Sequence, residues 1–300
     1  MTEHLLEVRN LTVDFHTARG AVHAVRDVSW HLDRGECLAI LGESGSGKSV
    51  SASAVMNLID CPPGEIVSGE ILFEGRNLLT LSDEARRELN GKRIAMIFQD
   101  PMSHLNPVYS VGFQIAETMT AHGVGGSDAR ARTLDLMRRV GIPDPEVKID
   151  AYPHQFSGGQ RQRLMIAMAL ALKPDILIAD EPTTALDVTV QAQILALLEE
   201  LQRETGMGLL LITHDLGVVA EVADRVVVMN SGEIVETGTA AEVYRNPRHP
   251  YTRKLIGAVP GAGEMAAPLD TGIKPILDVR GLTKKYGPFT ALDDASLTVL

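Results

Sequence analysis

The segment "AILGESGSGKSVSASAVMNLI" (39–59) limits the possible folds more than any other part of this chain. An apolar run enters a glycine-rich turn and leaves it as a helical pattern. The turn fits G-x-x-x-x-G-K-[ST] with Gly42, Gly47, Lys48 and Ser49, and Glu43, Ser44, Gly45 and Ser46 stand between. Glycines let successive backbone N–H groups point inward at oxyanions, and the N-terminus of the next helix adds partial positive charge. Lys48 is placed to reach β- and γ-phosphates, and the Ser49 hydroxyl to ligate Mg²⁺. A turn that merely caps a helix is the simpler alternative. The strand before and the helix after favour nucleotide binding, and they commit the neighbouring chain to α/β layers.

Further along, "CLAILG" (37–42), "RIAMIF" (93–98), "DILIAD" (175–180), "GLLLIT" (208–213) and "RVVVMN" (225–230) read as strands. Several are apolar on both faces, as strands covered by helices on each side are. Between two of them, Ile194, Leu197, Leu198 and Leu201 recur at helical spacing and Gly206 ends the pattern. "NSGE" (230–233) reads as a turn between strands. The expected fold is α/β, with a mostly helical insertion at about 105–165.

"ILIADEP" brings two acids to the end of an apolar strand and resembles a Walker B element, in which Asp180 would hold Mg²⁺ and Glu181 would orient or deprotonate water. "FSGGQRQR" (156–163) resembles the signature loop of ATP-binding-cassette (ABC) ATPases, although alone it could be a helix start with Ser157 as N-cap. Gln99 then looks like the Q-loop glutamine, Asp187 in "ALD" like the D-loop residue, and His214 like the switch histidine. The order of these motifs over 5–240 identifies the chain as a member of that family. The resemblance implies a P-loop NTPase fold with a mixed-sheet core, an N-terminal antiparallel β region and a helical subdomain. It implies Phe15 stacked on adenine, residues 42–49 around the triphosphate, and Mg²⁺ held by Ser49, Gln99 and Asp180. Ser157, Gly158, Gly159 and Gln160 would close over the ATP of a partner cassette.

"QDPMSHLNP", "YPHQFSGG", "DEPTTALDVTVQAQIL" and "NPRHPYTRKLI" look like the oligopeptide/dipeptide importer subfamily. That resemblance implies an ATPase powering peptide import on the cytoplasmic face of the membrane. Its partners would be integral membrane permease subunits, a second cassette and, indirectly, an extracytoplasmic solute-binding protein. Some members carry a cysteine cluster in the C-terminal extension; with Cys37 and Cys61 alone here, no iron–sulfur cluster is expected. The alternatives are a cassette protein acting on nucleic acid or ribosomes, and a non-hydrolysing regulatory cassette. A net charge of −11 weighs against a nucleic-acid partner, whose binder usually offers a basic face. The presence of Lys48, Asp180, Glu181 and His214 weighs against a silent cassette. No apolar run approaches the roughly 20 residues of a membrane helix.

The chain also repeats itself. "LEVRNLT" returns as "LDVRGLT", Phe15 as Tyr286, and Asp27 and Ser29 as Asp294 and Ser296. The expected organisation is an ATPase domain over 1–240, an importer-type extension over 241–258, a linker over 259–275 and the truncated start of a second cassette over 276–300. That last stretch is expected to be poorly ordered or a weakly packed β-rich stub, because two strands alone are marginal in water.

Overall fold

The computed structural model describes residues 4–18, 20–100, 104–184, 186–258 and 275–299. The chain divides into two units, Met1–Val259 and Pro260–Leu300. Most of the expected linker lies outside the described residues.

In the first unit, β1 (Leu6–Thr17) and β2 (Gly20–Leu32) form an antiparallel pair. β3 (Cys37–Leu41) follows and runs through the glycine turn into α1 (Lys48–Met56). β4 (Gly64–Phe73) and β5 (Arg76–Asn77) complete a four-stranded antiparallel sheet in the order β2-β1-β4-β5. Leu6, Val8, Leu11 and Val13 of β1 are buried, and the register shift between Val8 and Leu11 keeps both halves facing the core. Asn10 absorbs that shift at φ 48°.

A six-stranded sheet forms the centre. After α2 (Asp83–Leu89), β6 (Ile94–Ile97) precedes the helical insertion, which contains α3 (Val111–Thr120), α4 (Gly126–Arg139) and α5 (Pro145–Lys148). α6 (Gly158–Ala169) leads to β7 (Ile176–Asp180), α7 (Val188–Thr205) to β8 (Gly208–Thr213), and α8 (Leu216–Val222) to β9 (Arg225–Asn230). β10 (Glu233–Thr239) turns back, and α9 (Ala240–Arg245) and α10 (Pro250–Gly257) end the unit. The order is β10-β9-β3-β8-β7-β6, parallel except for the β9–β10 hairpin. Every residue of β3, β7 and β8 is buried, which explains their continuous apolar sequences. One core joins the antiparallel sheet to α1 and the central strands, and a second packs the insertion and α7 on the opposite face.

The second unit contains β11 (Leu277–Tyr286) and β12 (Phe289–Val299), an antiparallel pair forming its own two-stranded sheet. The free thiols Cys37 and Cys61 are buried and exposed, respectively, and burial pushes the Cys37 thiol up to about 12.

Candidate nucleotide site

The glycine turn is held from behind as well as from within. Gly47, at φ 99°, stands where an added Cβ would fall 2.4 Å from the Ala24 carbonyl of β2. A side chain there meets both a strained backbone and a clash. At the start of the turn, a Cβ on Gly42 would lie 2.3 Å from the Met229 carbonyl. The turn between β9 and β10 adds a third support: Gly232 N–H donates to Ser46 O at 3.1 Å, and Arg26 N–H donates to Gly232 O at 2.8 Å. Behind α1, Trp30 Nε1–H donates to Ser51 Oγ at 3.0 Å.

Lys48 opens α1 and is buried. Its ammonium donates to the carbonyls of Gly42 (2.8 Å) and Glu43 (2.9 Å), curling the side chain back over the turn. Burial lowers its pKa, and the charges of Glu181 and Asp180 oppose that shift. Ser49 Oγ donates to Asp180 Oδ1 at 2.9 Å, joining the first residues of α1 to the end of β7. Asp180 is only 6% exposed, and burial raises its pKa; the Ser49 hydrogen bond and Lys48 pull it down, while Glu181 pushes it up. A hydroxyl and a buried carboxylate lacking full compensation form the kind of oxygen donor set that a hard divalent cation takes.

Glu181 continues β7 at φ 46°, a left-handed backbone that costs a non-glycine residue energy and turns its carboxylate away from the strand direction. Its own N–H donates to Ile212 O of β8 at 2.8 Å, which holds the bend. Three side chains converge on the carboxylate: Gln99 Nε2–H at 2.8 Å, Thr184 Oγ1–H at 2.9 Å and His214 Nδ1–H at 3.0 Å. Burial acts to raise the Glu181 pKa, but the His214 and Thr184 hydrogen bonds and the nearby positive charges outweigh it, so the net shift is downward. The group is therefore ionised at neutral pH and can accept a proton.

Lys48, Ser49, Gln99, Glu181, Thr184 and His214 border two adjoining clefts of about 430 and 440 Å³ that share Ser44, Gln99 and Glu181, while Asp180 sits behind Ser49 and lines neither. One contains Gly42, Thr184, His214 and Leu255; the other contains Lys48, Ser49 and the half-buried Phe15. The clefts lie at the carboxyl ends of β3, β7 and β8, where ligands bind in open α/β sheets. A larger cleft of about 630 Å³ opens at the opposite ends, and four of its charged residues are joined in the ion pairs Arg34–Asp175 and Arg139–Glu204.

The residues read as a signature loop line neither cleft. Ser157 caps α6, accepting the Gln160 N–H at 3.3 Å, while Gln160 Oε1 accepts the Ser157 N–H at 3.1 Å. Ser157 and Gly158 are exposed, and Gly159 packs on Val190. Asp187 caps α7 through the Val190 N–H at 3.0 Å. The sequence reading missed Thr184, Tyr251 and Leu255. Thr184 sits three residues beyond Glu181 and was within reach of a local argument. Tyr251 and Leu255 were not, because nothing local links α10 to the glycine turn.

The sequence profile of the ABC transporter family matches residues 25–184. The chain belongs to that family. As in other ABC cassettes, its nucleotide chemistry is ATP hydrolysis. The profile of the oligopeptide/dipeptide transporter C-terminal region matches residues 235–280, which include α10. The cassette is similar to the oligopeptide transport ATP-binding protein OppD of Bacillus subtilis (strain 168), at 56% identity over 85% of this chain and 72% of that one. It resembles the dipeptide transport ATP-binding protein DppD of Haemophilus influenzae at 54% identity over 90% and 83%. Among solved structures, it is similar to a dimeric post-hydrolysis state of the ATP-binding cassette MJ0796 bound to ADP and Pi. There the TM-score is 0.70 and identity 26%, covering 78% of this chain and 98% of that one.

Proposed function

We propose that this cassette powers peptide import through partner membrane subunits, and that its hydrolytic centre is the Glu181 carboxylate with Gln99, Thr184 and His214. The observation that carries the chemistry is the convergence of those three donors on one ionised carboxylate beside the phosphate loop. The substrate class rests on the importer-type region over 235–280 and on the relatives named for oligopeptide and dipeptide transport.

In this reading the adenine stacks on Phe15 and residues 42–49 wrap the phosphates, with Lys48 meeting the β/γ charge. Ser49 and Asp180, with Gln99 beside them, hold Mg²⁺, which neutralises phosphate charge when bound. Glu181 accepts the proton of a water as its oxygen attacks the γ-phosphorus and the bond to the β–γ bridging oxygen breaks. His214 orients Glu181 and steadies the γ-phosphate. Ser157, Gly158, Gly159 and Gln160, lying outside the clefts of their own chain, serve ATP held by a second cassette, with Asp187 at the junction.

No helix among the described residues is long and apolar enough to cross a membrane. We place the cassette on the cytoplasmic face, held by permease subunits that receive peptide from an extracytoplasmic binding protein. Nucleic acid is not a partner in this reading. The test is reconstitution with the permease subunits in vesicles: peptide uptake should require Mg-ATP and vanish with Glu181→Gln. An assembled transporter that hydrolyses ATP but accumulates no di- or oligopeptide would overturn the peptide assignment.

A further inference from the structure

The segment "NPRHPYTRKLI" lies beyond every motif of the ATP chemistry, yet it reaches the phosphate loop. Glu236 on β10 accepts the backbone N–H groups of Arg248 (2.8 Å) and His249 (3.0 Å), fixing the chain as it enters α10. His249 caps the helix, its Nδ1 accepting the Tyr251 N–H at 3.3 Å, and Pro250 supplies a first helical residue that needs no donor. The aromatic ring of Tyr251 and the side chains of Leu255 and Ile256 pack on the core beneath β3 and β9.

This clamp brings the Tyr251 hydroxyl to Glu43, whose N–H donates to it at 3.1 Å. The carbonyl of Glu43 is held from the other side by the Lys48 ammonium at 2.9 Å. The loop's own lysine thus holds the carbonyls of both peptide units flanking Glu43, and a helix 208 residues away holds the N–H of the first. Four residues after Tyr251, Leu255 enters the wall of the cleft that holds Gln99, Glu181, Thr184 and His214.

We propose that α10 is a working wall of the nucleotide site and that Tyr251 is a positioning residue, setting the Glu43 peptide so that the loop is shaped before phosphate arrives. The inference rests on the reading of this site as an ATP site. A preshaped loop loses less conformational freedom on binding, so the hydroxyl acts on affinity. The coupling is reciprocal. Whatever displaces α10 weakens nucleotide binding, and bound nucleotide favours the docked helix by the same factor.

The test uses the full chain with Tyr251→Phe, which keeps the ring and removes only the hydroxyl, beside Glu236→Gln, which loosens the clamp without touching the loop. A fluorescent Mg-ATP analogue is titrated, and thermal midpoints are recorded without nucleotide. In the assembled transporter, KM and kcat are measured. Loss of one net hydrogen bond to the loop predicts about three- to tenfold weaker affinity for Tyr251→Phe. KM should rise by the same factor, with kcat unchanged; Glu236→Gln should shift affinity in the same direction. A merely structural hydroxyl would instead lower the midpoint and leave affinity alone, and that result overturns the proposal. So does a Tyr251→Phe affinity within about twofold of the wild type. Wild-type protein that binds no Mg-nucleotide overturns the ATP-site reading itself, which separates that failure from failure of the inference.

Discussion

The β1–β2 pair and the β11–β12 pair share a local design and differ in what covers them. Asn10 N–H donates to Ser29 Oγ at 2.8 Å, and Gly281 N–H donates to Ser296 Oγ at 3.1 Å. Asp27 N–H donates to Thr12 Oγ1 at 3.2 Å, and Asp294 N–H to Thr283 Oγ1 at 3.1 Å. Left-handed residues recur at the same places: Asn10 and Asp27 in one pair, Gly281 and Asp294 in the other. Yet Leu11 is wholly buried while its counterpart Leu282 is 49% exposed. The first pair has β4 as a third strand and α1 beneath it; the second forms a sheet of two strands. Local hydrogen-bond chemistry thus reproduces a hairpin without reproducing its burial among the described residues. Burying a leucine contributes about 1.5–3 kcal/mol, and an isolated hairpin is marginal in water.

The largest effect that can sharpen this contrast is on turnover. Glu181→Gln keeps the shape of the side chain but removes the base and one of the two acceptor oxygens, so ATP hydrolysis in the assembled transporter should fall about 10²–10⁴-fold with nucleotide affinity retained. Leu282→Ala on the second hairpin should leave turnover at the wild-type level; a loss there would mean that the second pair takes part in the chemistry. Stability comes next. Leu11→Ala should cost about 2–5 kcal/mol in denaturant unfolding, whereas Leu282→Ala should stay within about 0.5 kcal/mol. Equal costs would break the comparison.

A smaller effect concerns Asp180. Its raised pKa means that the ionised form destabilises the nucleotide-free fold. That penalty is absent below the ordinary aspartate range and reaches its full size as pH rises through the raised value. Asp180→Asn should therefore stabilise the metal-free protein at neutral pH, by about 0.5–2 kcal/mol, and the gain should vanish in acid. Thermal midpoints recorded against pH would show it as a rise of a few degrees. Asp278→Asn, on the exposed hairpin, should shift stability by less than about 0.5 kcal/mol at any pH, since the ion pair it shares with Arg280 is a surface one. A neutral-pH loss of stability in Asp180→Asn would refute the desolvation argument.

The central sheet was legible because its inner strands are buried on both faces and so read as unbroken apolar runs. Their ends were less so. "DILIAD" starts its strand at Ile176; Asp175 still donates its N–H to Arg93 O and accepts the Gly208 N–H, both at 2.9 Å, while its carboxylate pairs with Arg34 and Arg93. "RIAMIF" narrows to Ile94–Ile97, with the Arg93 carbonyl accepting the Asp175 and Ile176 N–H groups and its guanidinium paired with Asp175 and Glu74. The glycine turn, Asp180 and Glu181 could be read from spacing because the loop and the strand ends are local devices. The contribution of Tyr251 could not, since it depends on how β10 and Glu236 aim a distant helix. Where a β-rich stub was expected over 276–300, the described residues form an antiparallel pair with Leu277, Leu282 and Leu297 exposed.

The turn at Ser231 and Gly232 is a junction on which three chain segments close. Gly232 N–H reaches the phosphate loop at Ser46, and Gly232 O takes the N–H of Arg26 from β2. In isotope-exchange terms, the amide protons of Arg26 and Gly232 form a paired clock for the loop. Neither can swap with solvent deuterium unless the junction opens, so the two should share a common opening free energy. A ligand that tightens the loop should slow both together, giving a readout of nucleotide occupancy written into the backbone some distance from the phosphates.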